Sequence, residues 1–143
     1  MERIRGKVLA LDFGSRRIGV AVSDPLGITA QQRPAIRREG DRKDIDAIAV
    51  VAREYDVETV VIGLPLLPGG TEGTQAAKVR EFGRKVHERL GLPVVPWDER
   101  FTTAQAERHL IEAGVRREKR REVRDSLAAA LLLQSALDAR NRT

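Results

Sequence analysis

The sequence predicts an α/β fold with a mixed central β-sheet flanked by helices, and three observations carry that prediction. Apolar runs of strand length occur at Lys7 to Asp12 and Thr59 to Leu64, each too short for a stable helix and too continuously apolar for a half-exposed strand. Between and after them, apolar residues recur at spacings of three and four, as an amphipathic helix requires. Three strand-like segments precede the first such helix, and from there helices and strands alternate. The first three strands are therefore expected to be antiparallel and the later ones parallel.

Each element follows from its residues. Lys-Val-Leu-Ala-Leu-Asp at 7–12 reads as a buried central strand ending in a carboxylate, and Phe13-Gly14-Ser15 turns the chain into a return strand over Ile18 to Ser23. Pro25 and Gly27 mark the next turn. Ile28 to Ile36 forms a third strand at an edge, because Pro34 has no N–H to give a ladder. Asp41 is placed to cap a helix through Ile45, Ile48, Ala49, Ala52 and Tyr55. Thr59 to Leu64 is β-branched and apolar without alternation, a strand covered on both faces that stops at Pro65. After the loop from Pro68 to Gly73, a helix is expected from Thr74 to Leu90 through Ala77, Val79, Phe82 and Val86, terminated by Gly91. Val94 to Trp97 is a short strand leading into Asp98-Glu99-Arg100, and Thr102 or Thr103 can cap a helix reaching Ala113-Gly114. Residues 116–124 read as an exposed basic segment, and Asp125-Ser126-Leu127 opens a last, densely apolar helix. No internal repeat or long linker divides the 143 residues, so residues 1–143 are expected to form one domain.

Composition narrows the function. A net charge of +5 at pH 7, from 26 basic and 21 acidic residues, makes a polyanionic partner plausible. The chain has no cysteine, which excludes disulfides, thiolate metal sites and a cysteine nucleophile. Its two histidines, His87 and His109, lie in charged helical stretches where solvated positions are expected, so any metal must be held by oxygen ligands. No signal segment or run long enough to span a bilayer is visible, and a soluble, cytoplasmic protein without membrane partners is expected.

The informative feature is where the carboxylates fall. Asp12 ends the most buried strand, Asp98 and Glu99 end another, and Asp125 heads the most apolar helix. Carboxylates at such boundaries are costly to bury unless paired, hydrogen-bonded or bound to a cation. Asp125 taken alone is a helix cap worth about 1 kcal/mol, and Asp98-Glu99-Arg100 taken alone is equally a polar strand exit. Asp12 has no such ready explanation. If parallel strands bring these acids to one sheet edge, their repulsion favours a divalent cation, and with oxygen ligands Mg²⁺ or Mn²⁺ is the natural choice. Two such ions about 3.5–4 Å apart serve phosphodiester cleavage.

Four segments together resemble the YqgF/RuvX family: Leu-Asp-Phe-Gly-Ser-Arg-Arg-Ile-Gly-Val-Ala at 11–21, Val-Ile-Gly-Leu-Pro-Leu with Gly-Gly-Thr-Glu at 61–72, Asp-Glu-Arg-Phe-Thr-Thr-Ala-Gln-Ala at 98–106, and Asp-Ser-Leu-Ala-Ala at 125–129. The first alone also resembles the phosphate loop of actin-like ATPases; the set, in this order and covering nearly the whole chain, is specific. The resemblance implies a ribonuclease H-like fold and metal-dependent phosphodiester hydrolysis. The family is described as Holliday junction resolvases, with a bacterial role assigned to 5′-end maturation of pre-16S ribosomal RNA. By resemblance Asp12 is a metal ligand, the acid of Asp98-Glu99 a second and Asp125 a third. Neighbouring strand residues face opposite sides, so one of Asp98 and Glu99 is the ligand, with Glu99 preferred. RuvC-type resolvases carry a carboxylate at the end of the strand after the first helix, where this chain has Gly63-Leu64-Pro65.

Around these acids, Arg16, Arg17 and Arg100 are placed to bind phosphate oxygens, as are Thr102 and the basic residues Arg120, Arg121 and Arg124 ahead of Asp125. Gly63 and Gly70 would let a nucleic-acid backbone approach, with Thr71 offering a hydroxyl, although a plain turn explains them equally. Aromatic residues are only 3% of the chain, which argues for recognition of shape and backbone over base stacking, and leaves Trp97 to the core. The expected activity is a nuclease on precursor rRNA. The alternatives are a Holliday junction resolvase on branched DNA, a non-catalytic nucleic-acid-binding module, and an actin-like phosphotransferase, which would need a second lobe. The oligomeric state, monomer or homodimer, is left open.

Overall fold

The computed structural model describes residues 4–99, 108, 111–114 and 116–142, with 117–125 described as helix backbone. Five strands form one sheet in the order β3-β2-β1-β4-β5: β1 is Val8–Phe13, β2 Arg17–Ser23, β3 Ala30–Arg37, β4 Thr59–Leu64 and β5 Val94–Asp98. β1 pairs antiparallel with β2, and β2 with β3, while β4 runs parallel to both β1 and β5. This is the mixed sheet expected from the order of apolar segments, with the Pro34 strand at an edge.

Strand alternation divides the core into two. Leu9, Leu11, Val20, Val60 and Ile62 face helices α1 (Asp41–Glu54) and α2 (Thr74–Leu90), meeting Ile48, Phe82 and Val86 there. The intervening Val8, Ala10, Ala21 and Val61 face helix α3 (Arg117–Asn141), against Ala129, Leu133, Ala136 and Leu137. Each fully buried Leu, Ile or Val contributes about 1.5–3 kcal/mol. The alanines on both sides of the second layer allow α3 to approach the sheet closely. Its direction is fixed by hydrogen bonds at both ends: Ser126 Oγ donates to Arg33 O at 2.7 Å, and Arg140 Nη1 donates to Gly6 O at 2.9 Å. The N-terminal part of α3 thus lies toward the ends of β1 and β3 at which Phe13 and Arg37 stand.

Several expectations need correction. Asp41 is the first residue of α1 and does not cap it; Gly40 is the N-cap and no side chain caps the helix. Asp44, one turn in, instead reaches back to accept Glu39 N–H at 2.9 Å. On α2 the buried alanine is Ala76, and Ala77 is exposed, because 76, 79, 82, 83 and 86 share one helical face and 77 does not. Gly91 ends α2 as expected, in a left-handed conformation with its N–H bonded to His87 O at 2.8 Å. The basic stretch from Arg117 is helical, and Asp125 lies two turns inside α3 behind the N-cap Arg116, so it caps nothing. Propensity explains this: Arg, Glu and Lys are good helix formers, and the polar turns extend a helix nucleated by the buried apolar ones. His87 is exposed, as expected. Trp97 packs partly buried against the α3 layer, its Nε1–H donating to Ser135 Oγ at 3.2 Å. Thr102, Thr103 and His109 lie outside the described residues.

Candidate active site

The register places Asp12 in the middle of the sheet's functional edge. It is opposite Gly19 of β2, and one step beyond the Leu11–Ile62 pairing it stands beside Gly63 of β4. Gly63 in turn pairs with Trp97 of β5, and the Glu99 N–H continues the ladder to Leu64 O at 3.3 Å. By alternation Asp12 shares the α3 face with Val8 and Ala10, and Glu99 shares it with Trp97. Asp98 falls on the other side with Pro96, which lines a cavity on the α2 side of the sheet together with Ile62, Val79 and Gly83. The sheet therefore separates the two adjacent acids and brings Glu99 to Asp12.

Gly63 makes that meeting possible. A Cβ at position 63 would overlap Glu99 Oε2, lie 3.1 Å from Glu99 Cδ and 3.2 Å from Leu132 Cδ2. The Glu99 side chain lies across β4 in the space a side chain would fill, reaching the end of β1 from two strands away. Gly63 was expected to admit a nucleic-acid backbone; here the carboxylate occupies that room.

The electrostatics are those of two like charges in a partly dry place. Glu99 is pushed up to about 8 from an ordinary 4.5, first by burial, then by the negative charge of Asp12, by the hydrogen bond it makes to Asp12 while protonated, and by Asp98. Two converging carboxylates that hold a proton between them at neutral pH are a donor set a divalent cation relieves, so the residues present fit Mg²⁺ or Mn²⁺. Among the described residues no three His, Asp or Glu side chains converge into a metal-holding group. The side chain of the third expected ligand, Asp125, is outside that description; its backbone position is one helical turn before Ala129, which is fully buried against the sheet.

Of the expected phosphate-binding residues, Arg16 is exposed in the β1–β2 turn, and its carbonyl accepts Arg38 N–H at 2.8 Å. Arg17 is half-buried at the start of β2, on the α3 face. Gly70 and Thr71 belong to a tight exposed turn, Leu67 N–H to Thr71 O at 2.9 Å and Gly70 N–H to Leu67 O at 2.7 Å, which accounts for both residues without a ligand. Arg100 and Thr102 lie outside the described residues, as do the side chains of Arg120, Arg121 and Arg124. Arg37, which the sequence did not single out, stands directly opposite Arg17 at the end of β3.

Comparison with known proteins identifies the family. The RuvX family, described as Holliday junction resolvase, matches residues 6–139. A Syntrophus aciditrophicus protein named "Putative pre-16S rRNA nuclease" is 51% identical over 133 residues, covering 93% of this chain and 89% of its own. A Listeria monocytogenes protein of the same name is 48% identical over 137 residues, covering 94% and 99%. Among solved structures, Thermus thermophilus RuvC in complex with a Holliday junction substrate superposes with a TM-score of 0.57 at 18% identity, covering 97% of this chain and 98% of that one. Fowlpox virus resolvase in complex with Holliday junction DNA gives 0.56 at 12% identity, covering 93% and 97%. These two share the fold, the ribonuclease H-like architecture of resolvases. The family match and the close relatives carry the rest: the chain belongs to the RuvX family of nucleases.

Proposed function

We propose that the protein is a metal-dependent nuclease that hydrolyses phosphodiester bonds in structured nucleic acid, with 5′-end maturation of pre-16S rRNA in the cytoplasm as its role. The observation that carries this reading is the Asp12–Glu99 pair at the end of the central strand, in a chain of net charge +5. Asp12 and Glu99 would hold the ion, with Asp125 supplying a third carboxylate from α3. Mg²⁺ or Mn²⁺, when bound, supplies a Lewis acid that activates water and stabilises the leaving oxygen. The chain's own contribution is placement. Gly63 gives Glu99 its path, Leu132 packs beside that path on the α3 side, and Arg16, exposed in the β1–β2 turn, and Arg17 at the start of β2 would orient phosphate oxygens. The relatives' names favour rRNA over DNA as the substrate. The family's description and the resolvase fold support a second reading, cleavage of branched DNA, which would require a homodimer to cut two strands symmetrically.

The test is cleavage in Mn²⁺ or Mg²⁺ of labelled precursor 16S rRNA, single-stranded RNA, matched duplex and a four-way DNA junction. RNA cleavage is expected, falling on the order of 10³-fold in Asp12→Asn, while binding and folding persist. Symmetric junction cutting would favour the resolvase reading. Salt-sensitive binding with no cleavage of any substrate would leave a binding module.

A further inference from the structure

The register of β1 with β4 stops at Leu11–Ile62, whereas its register with β2 runs on through Asp12–Gly19 and Phe13–Ile18. β2 is itself irregularly paired with β3 between Ile18 and Val20, at the residue opposite Asp12. The turn that follows β1 is tight: Gly14 N–H donates to Arg17 O at 3.0 Å, and a Cβ at position 14 would lie 2.6 Å from that oxygen. A strand end held by the ladder from one side frays readily, yet Glu99 meets Asp12 only if this end stays in place.

Arg38 supplies a second hold, from the α1–α2 face. Its backbone N–H donates to Arg16 O at 2.8 Å, its Nη1 donates to Gly14 O at 3.4 Å, and its guanidinium carbon lies 4.3 Å from the centre of the Phe13 ring. Phe13 rests in turn on Phe82 of α2, with 4.5 Å between ring centres. The guanidinium is itself fixed, Nε on Asp44 at 3.0 Å and Nη2 on Asp41 at 2.8 Å. Because successive strand residues point to opposite faces, holding the Phe13 ring on the α1–α2 side holds the Asp12 carboxyl on the α3 side. Folding alone does not call for ions at this place, since apolar groups of the same volume are often as stable as a buried ion pair or more so. What an apolar side chain lacks is the planar fork that reaches the Gly14 carbonyl while lying on the ring. Nor does Arg38 serve substrate: it is 20% exposed, held by two carboxylates, and on the face away from Asp12.

We propose that Arg38, fixed by Asp44, is a positioning residue: through the Phe13 ring and the carbonyls of Gly14 and Arg16 it sets the end of β1 so that Asp12 meets Glu99. This rests on the nuclease reading for what the placement serves, but the placement itself is measured without metal or substrate. The test variant combines Arg38→Met with Asp44→Asn, which removes both charges, keeps an unbranched side chain on the Phe13 ring and keeps an oxygen for Glu39 N–H. Its Tm should stay within about 5 °C of the wild type. Amide exchange at Gly14 in EDTA should speed up about 10-fold while that at Ala10, in the middle of β1, is unchanged. In Mn²⁺, kcat on precursor 16S rRNA should fall about 10- to 100-fold at constant KM, because Arg38 touches no substrate. Mn²⁺ affinity by calorimetry should fall about 10-fold. If the double variant is less stable than that, Arg38→Lys, which keeps a charge at Asp44 without the fork, carries the same readouts. Wild-type exchange at Gly14 in the folded variant would overturn the proposal. So would a wild-type kcat beside faster exchange, since the turn would then be loose without consequence. Faster exchange at Gly14 in a protein whose wild type neither cleaves nor binds Mn²⁺ would remove the nuclease reading and keep the placement.

Discussion

Two clusters of charge flank the same end of β1, one on each face of the sheet, and they are built on opposite principles. On the α1–α2 face, Arg38 lies over Phe13 and Phe82, donates from Nε to Asp44 at 3.0 Å and from Nη2 to Asp41 at 2.8 Å, and reaches Gly14 O at 3.4 Å. Every charge there has its counter-charge, and Lys85 adds a second cation at Asp41, 2.9 Å away. On the α3 face, Asp12 and Glu99 set like charge against like, with Asp98 adding to the repulsion. A satisfied network fixes the turn after β1. A like-charged pair stores repulsion that a cation relieves, and repulsion held in place by surrounding packing is one mark of a functional site.

The largest effect should come from the proton that the α3-side pair retains. Glu99 in the folded chain sits near 8, against 4.5 for its ordinary value. Between those values the unfolded chain has lost a proton that the folded chain keeps, so stability falls as pH rises. The contribution is complete below about 4.5 and gone above about 8, at up to about 1.4 kcal/mol per pH unit in between. Urea unfolding of the metal-free protein should show this decline, Glu99→Gln should flatten it, and added Mn²⁺ should oppose it at the upper end. A wild-type profile already flat from pH 5 to 8 would mean that the two carboxylates do not meet in solution.

On the opposite face the corresponding break is Asp44→Ala. Asp44 is 1% exposed and paired to an arginine that is itself only 20% exposed, so deleting it leaves a half-buried guanidinium one partner short. The loss should be about 3 kcal/mol, at the lower end of what breaking a buried pair costs because Asp41 remains. Chemical denaturation measures it. A loss under about 0.5 kcal/mol would show that the network is solvated as an exposed ion pair is.

How legible these two faces were differs for a physical reason. The strands and α2 could be read from apolar periodicity, since burial is local to each segment's own pattern. The candidate acids could be read too, because a carboxylate at the end of an apolar run is conspicuous wherever it later packs. Alternation told that Asp98 and Glu99 face opposite sides, but which of them shares a face with Asp12 follows only once Trp97 is known to face α3. What could not be read was pairing between distant segments: Arg38 with Asp44, Arg37 opposite Arg17, and the passage of Glu99 over Gly63. The first needs the tertiary fold, the second the β2–β3 register with its irregularity between Ile18 and Val20, and the third a neighbour two strands away. The start of α3 was misjudged for another reason. The Arg- and Glu-rich stretch before Asp125 lacks an apolar stripe, and its helicity is borrowed from the buried turns that follow.

The smallest of these perturbations is also the most discriminating, since it touches the like-charge pair without altering any charge. In Gly63→Ala the new Cβ meets the Glu99 carboxylate and, at 3.2 Å, Leu132 Cδ2. The first is the tip of a flexible side chain, which can swing away cheaply, and alanine lowers the entropy of the unfolded chain. Global stability should therefore change by less than about 1 kcal/mol. Glu99, however, can no longer cross β4 to reach Asp12, and a displacement of about 1 Å in a positioned group can cost on the order of 10²-fold in rate. Cleavage should fall by about 10- to 100-fold, and the decline of metal-free stability with pH should weaken in the same variant, because the carboxylates are separated. Loss of both together ties activity to the path over Gly63. Full activity with the pH profile unchanged would mean that Glu99 reaches Asp12 by another route, and the absence of a side chain at position 63 would then have no bearing on the site.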